Sequence, residues 1–120
     1  MNPFRDQEKF MKACDQTVGE YNLEQYVLYN NLIKEEVGEL NEAQLAGDKV
    51  EQLDALIDIL VVTIGAIHSM GADAEGAWKE VMNTNFAKIN EDGKVRKRED
   101  GKVLKPLGWK APDLKAFVKY

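Results

Sequence analysis

The chain has 120 residues, 44% of them hydrophobic and 31% charged, and carries a net charge of −5 at neutral pH. That length suits a single domain over residues 1–120, and the composition is that of a soluble globular protein. A lone cysteine excludes a disulfide framework and points to a reducing, cytoplasmic setting. No signal peptide, lipidation motif or apolar run of the roughly 20 residues that span a bilayer is present, so no membrane is expected. The charge is uneven: residues 88 to 110 hold eight Lys/Arg against four acids, while the remainder holds eight against seventeen. An acidic body of this kind argues against nucleic acid as a partner.

In chain order, residues 3 to 18 read as a first helix with Phe4, Phe10, Met11 and Cys14 as apolar contacts, broken by Gly19. Residues 23 to 46 read as a second helix. With Leu28 taken as zero and about 100° per residue, Leu32 falls near ~40°, Tyr29 near ~100°, Leu40 near ~120°, Ile33 near ~140° and Val37 near ~180°. Glu39 (~20°) and Glu36 (~80°) fall inside this apolar arc, and Glu35 (~340°) at its edge. Glu35 and Glu39 are four apart and Glu36 and Glu39 three apart, so the trio converges on one region of the helix surface. Carboxylates on an apolar stripe are costly unless something positive neutralises them.

A short Gly47-Asp48 turn then leads to a third helix, residues 48 to 70, most simply packed antiparallel to the second. Residues 55 to 67 are apolar except Asp58, Thr63 and Gly65, which marks a central helix. Asp54 and Asp58, four apart, share one face and can oppose the glutamates. Gly65 lies on that face too and admits close approach of another helix or a ligand. Clustered carboxylate oxygens suit a hard divalent cation, Mg2+ above all. A zinc site is disfavoured because Cys14 and His68 stand far apart in sequence, and a di-iron site because the position three before His68 is Gly65.

Gly71 closes the third helix, and Asp73 is positioned to cap a fourth, about 74 to 89, with Ala74, Ala77, Trp78, Val81, Met82 and Phe86 on its inner face. Asp-Gly-Lys-Val then occurs at 92 to 95 and again at 100 to 103; the second Asp-Gly predicts a β-hairpin. Pro106, Gly108 and Pro112 impose an irregular tail, with a helical turn at 113 to 118. The expected fold is all-α, four-helix-bundle-like, with a short C-terminal β-hairpin and tail. So apolar a central helix in so short a chain favours a homodimer or homotetramer. His68 reads as a partly buried helix residue, Cys14 as packing and Trp78 as core. Trp109 either covers a base or docks the tail. A basic tail beside a metal-ready acidic body suits a small polyanion.

Leu32-Ile-Lys-Glu-Glu-Val-Gly-Glu-Leu40, followed by Asp54-Ala-Leu-Ile-Asp58-Ile-Leu-Val-Val-Thr-Ile-Gly65, resembles the signature of the all-α nucleoside triphosphate pyrophosphohydrolases, the MazG-like and phosphoribosyl-ATP pyrophosphohydrolase-like proteins. Their hallmark is Glu-Glu-x-x-Glu, a spacer, then Glu-x-x-Asp. The likeness extends through Glu80–Lys88 and Arg98–Lys105. One departure stands out: Asp54 occupies the place of the family's second-motif glutamate if Asp58 aligns with its aspartate, while Glu51-x-x-Asp54 fits the pattern one turn earlier. The fourth ligand is therefore Asp54 or Glu51.

The resemblance implies Mg2+- or Mn2+-dependent hydrolysis of (deoxy)nucleoside triphosphates to a monophosphate and pyrophosphate. It also implies Glu35, Glu36, Glu39 and Asp58, joined by Asp54, as metal ligands. Glu35 and Glu36 are then the catalytic candidates, one glutamate doubling as general base. By the same likeness Asn85 and Lys88 touch the nucleotide, and the basic segment with Arg96, Arg98, Lys102 and Lys105 closes over the leaving pyrophosphate. The alternatives are hydrolysis of phosphoribosyl-ATP in histidine biosynthesis, on the same metal cradle, and a non-catalytic helical interaction protein. Retained carboxylates speak against the last, since a mere scaffold would gain stability from leucines there.

Overall fold

The computed structural model describes residues 2–119, which form four α-helices and no strand: α1 (Pro3–Ala13), α2 (Leu23–Ala46), α3 (Lys49–Ser69) and α4 (Ala74–Phe86), with a 3-10 turn at Lys115–Phe117. The chain divides into two compact units. One runs to Ala74 and takes in Val118 and Lys119; the other is Glu75–Phe117. No helix among the described residues is long and apolar enough to cross a membrane.

The first unit is organised by local signals at helix ends. Asn22 accepts the N–H of Gln25 (3.1 Å) and caps α2. Gly47, left-handed at φ 66°, ends α2, and Asp48 at once caps α3 by accepting the N–H groups of Val50 and Glu51 (both 3.1 Å). A turn this short folds α3 back along α2. Gln52 next to the turn bonds the Ala43 carbonyl (3.4 Å), Tyr29 lies against Gly65, and Gln25 bonds Ser69 Oγ (2.8 Å). Partners thus recede from the turn together on both arms, which is an antiparallel register.

Helix α1 stops at Ala13, five residues short of the expected end. Asp15 takes a left-handed conformation (φ 57°) and the Gln16 N–H returns to the Met11 carbonyl (2.9 Å), reversing the chain before Gly19 is reached. The released segment 16–18 is then tied inward. Gln25 accepts the Thr17 N–H (2.9 Å) and donates to the Thr17 carbonyl (2.7 Å), and the Tyr29 hydroxyl bonds Gln16 Oε1. His68 is buried, and its Nε2 bonds the Phe4 carbonyl (2.9 Å), fastening α1 to α3. Met11, Tyr29 and Ala66 form the core, with Val18, Tyr26, Leu32, Ile33 and Val62 packed against it. Cys14, expected to pack, is exposed, because it falls at the helix end where the chain turns to solvent.

Within the second unit, the expected inner face of α4 is only partly covered: Trp78 is 55% and Phe86 57% exposed. The tail returns along this helix, with Trp109 Nε1 donating to the Thr84 carbonyl (2.7 Å) and the Asp113 N–H donating to Glu80 Oε2 (3.1 Å). The expected β-hairpin is not formed. Its turn is present, with a lone antiparallel bridge between Lys97 and Val103, but no strand extends from it. The flanking side chains are almost all exposed, so no face is buried to hold a two-stranded ribbon together.

What the Asp-Gly-Lys repeat encodes is one turn made twice. Asp92 and Asp100 each accept the N–H of the lysine two residues on (3.0 Å in both). Gly93 and Gly101 donate to the carbonyls of Asn90 and Arg98 (2.9 Å in both). Each aspartate then takes an arginine, Arg96 at 3.1 Å and Arg98 at 2.9 Å.

Candidate metal centre

The antiparallel register places residues 36 and 39 of α2 opposite residue 58 of α3. Glu36, Glu39 and Asp58 each offer a carboxylate oxygen, and these oxygens lie within 4.8 Å of one another. Glu36 and Asp58 are half-buried and Glu39 is exposed, so the group opens to solvent on one side. Asp54, exposed and one turn before Asp58, is close enough to hydrogen-bond it and to act on both Asp58 and Glu36 through its charge. Glu35 is exposed and lies outside the three-residue group, as does Glu51 in the first turn of α3.

Electrostatics make this a site under strain. Burial, then the hydrogen bond and charge of Glu39, then the charges of Asp58 and Asp54, push the Glu36 carboxyl up to about 7. Burial and the charges of Asp54 and Glu39 raise Asp58 as well. Among the described residues, Glu36 Oε2 is a buried polar atom with no hydrogen-bond partner. A buried oxygen facing other carboxylates, with no donor, is what a hard cation would satisfy. The donor set is all oxygen, which suits a hard divalent cation.

Gly65, on the Asp58 face of α3, is used for close helix packing. A Cβ there would meet the Tyr29 ring at 2.3 Å, so glycine is what lets α2 and α3 approach at this level. In the second unit, Asn85 is exposed at the end of α4 and Lys88 half-buried just beyond it, and Lys88 Nζ donates to Asn85 Oδ1 (3.1 Å). Trp109 docks the tail, its Nε1–H donating to the Thr84 carbonyl. The ammonium groups of Lys88 and Lys105 lie 5.0 and 4.9 Å from its ring centroid. That association was not legible from spacing, because positions 88, 105 and 109 meet only once the tail folds back.

A helical hairpin carrying opposed carboxylates, in an all-α chain, fits the all-α nucleotide pyrophosphohydrolases. The sequence model of the phosphoribosyl-ATP pyrophosphohydrolases matches residues 6–85, and the chain belongs to that family, within the MazG-like all-α superfamily. The match begins within α1, spans α2 and α3 and takes in nearly all of α4, and so includes every acidic residue of the candidate centre. No curated protein matches the chain. Membership makes it a hydrolase of phosphoric anhydrides in nucleotides.

Proposed function

We propose that the protein hydrolyses (deoxy)nucleoside triphosphates between the α- and β-phosphates, releasing a nucleoside monophosphate and pyrophosphate. The observation that carries the reading is the unpartnered, buried Glu36 Oε2 among the carboxylates of Glu39 and Asp58. Glu36, Glu39 and Asp58 would hold a divalent cation, with Asp54 completing the set from the turn before. When bound, Mg2+ or Mn2+ supplies charge neutralisation for the polyphosphate and lowers the pKa of water.

The chain's own residues do the rest. Glu36 and Asp58 are brought to one place by the α2–α3 register, which would spare the cation the work of gathering them. Glu35, exposed beside the group and not engaged in it, is the candidate to take the proton from the attacking water. Asn85 and Lys88, hydrogen-bonded to each other, are the candidates to contact the nucleotide, Lys88 as a point charge on phosphate.

A second reading, phosphoribosyl-ATP as substrate, is favoured by the description of the matching family itself. Both substrates would use the same cradle. The test is pyrophosphate release from a panel of canonical and modified triphosphates and phosphoribosyl-ATP, with and without Mg2+. Release from triphosphates alone supports the first reading and release from phosphoribosyl-ATP alone the second. No metal-dependent release from any would favour a helical interaction protein.

A second copy of the chain belongs to the same proposal. Leu53, Leu56, Ile57 and Leu60 recur at helical spacing on α3, each 47–62% exposed, as a stripe wide enough for helix-on-helix packing. Sedimentation equilibrium distinguishes a dimer or tetramer from a monomer, and Leu56→Glu would dissociate the assembly.

A further inference from the structure

We propose that the exposed stripe of α3 is one half of a self-complementary interface: Val50 and Leu53 of one copy enter the cleft between α1 and α3 of a second copy, across a two-fold axis at Leu56 and Ile57. The proposal deepens the two-copy reading above and rests on it.

With Leu53 taken as zero and about 100° per residue, Leu56 falls near ~300°, Leu60 near ~340°, Ile64 near ~20°, Ile57 near ~40° and Val50 near ~60°. This one arc has two fates along the helix. At its far end Ile64 is buried, where α1 runs alongside. Towards the Gly47-Asp48 turn it grows bare, exposure climbing from 47% at Leu60 to 62% at Leu53 and 77% at Val50. Asp54 (~100°) and Asp58 (~140°) lie outside the arc, so a partner covering it leaves the acidic group open.

Between the covered and the bare lengths lies a cleft of about 300 Å3. Pro3 and Gln7 line it from α1 and Ile57, Leu60 and Ile64 from α3, and Asp6 is the one charge on its wall. The patch thus carries projecting apolar side chains at one end and an apolar recess at the other. Such a surface suits a second copy of itself, because a two-fold interface presents the same patch from both sides.

An axis midway between Leu56 and Ile57 runs the two α3 helices antiparallel. It sets Leu53 level with Leu60 of the second copy and Val50 level with Thr63, which is where the cleft lies. Lys49, near ~320° and so within the arc, comes level with Ile64, beside Asp6. Lys49 is exposed in the first turn of α3, where a cation opposes the helix dipole. Among the described residues neither Lys49 nor Asp6 has a partner within ion-pair distance. The axis that seats the apolar groups therefore also brings each of these charges to its opposite, at both ends of the dimer.

The test is sedimentation equilibrium of the full chain. Leu53→Asp is expected to weaken self-association by about a hundredfold or more, since an apolar contact is lost at each end. Lys49→Glu and Asp6→Lys are each expected to weaken it about tenfold, and the two together to return to within about threefold of wild type. Lys49→Glu improves the charge of its own helix end, so a loss of association there is not a loss of folding. Oxidative cross-linking in a Cys14→Ser background checks the register. Ile57→Cys is expected to join its own counterpart. Leu53→Cys is not, because its counterpart stands seven residues away along the pair, about 10 Å and beyond disulfide reach. Self-association that ignores Leu53→Asp, charge reversals that fail to compensate, or a cross-link at position 53 instead of 57 overturns the proposal. If Leu56→Glu still dissociates that assembly, the two-copy reading stands without it. A wild-type chain that stays monomeric removes both, and pyrophosphate release by that monomer leaves the nucleotide reading in place.

Discussion

Tyr29 fills the space that a side chain at position 65 would need: a Cβ on Gly65 would stand 2.3 Å from Tyr29 Cε1 and 2.5 Å from Cδ1. The ring is 4% exposed, and its hydroxyl is engaged with Gln16, so it cannot swing aside cheaply. Gly65→Ala is therefore expected to cost about 1–3 kcal/mol of stability by overpacking. Chemical denaturation checks this. Adding Tyr29→Leu to the alanine variant should cost less than the sum of the two single changes, because the clash is shared.

Removing one carboxylate from the cradle tests the metal assignment. Glu36→Gln and Asp58→Asn are each expected to lower Mg2+-dependent pyrophosphate release by at least about a hundredfold. Circular dichroism should show the helices intact, since both residues sit mid-helix with good helix formers around them. Wild-type rates in either variant would remove the assignment. Glu35→Gln separates roles: a base there predicts lost turnover with the affinity for Mn2+ retained.

The strained carboxyls have a signature in stability against pH. In the metal-free folded chain Glu36 titrates at about 7, above its ordinary value of 4.5, so between these the folded state binds the extra proton. Its contribution to stability is therefore full at low pH and lost as pH rises through about 7. Asp58, also raised, acts in the same direction. The melting temperature in EDTA is expected to fall from pH 5 to pH 8 by less in Glu36→Gln than in wild type. Added Mg2+ should restore wild-type stability at pH 8 and do little at pH 5, where protons compete with it.

Gln25 bridges three segments, bonding Thr17 at both its N–H and its carbonyl, and Ser69. It is 8% exposed, so truncation strands buried backbone groups. Gln25→Ala is expected to cost about 1–3 kcal/mol in thermal unfolding, with no change in metal affinity. A loss confined to activity would contradict this structural role.

The sequence disclosed the hairpin of α2 and α3 well, because its ends carry unambiguous punctuation. Asn22, Gly47 and Asp48 act at the positions where their side chains or backbone freedom are needed. The opposition of Glu36 and Glu39 to Asp58 followed from the same register. The end of α1 was not legible, since Asp15 rather than a glycine takes the left-handed turn. The Asp-Gly signal at 100–101 correctly marked a reversal, but reversal alone does not make strands when nothing packs on them. The apolar arc on α2 is only partly covered: Leu28 and Val37 are 47% and 41% exposed and Glu39 is open to solvent. Periodicity reveals a stripe, not what covers it. The meeting of Lys88, Lys105 and Trp109 depends on a tail path that no local pattern encodes.

The opposed acids stand on two arms joined by the Gly47-Asp48 reversal, all between residues 36 and 58. Contacts so local in sequence close early when a polypeptide collapses, before α1 or the tail is needed. Mutual repulsion of these side chains is then met at the first zipping step, and not only in the finished molecule. Divalent ions present during refolding should quicken the productive phase itself, so that the cation serves as a partner in assembly as well as in chemistry.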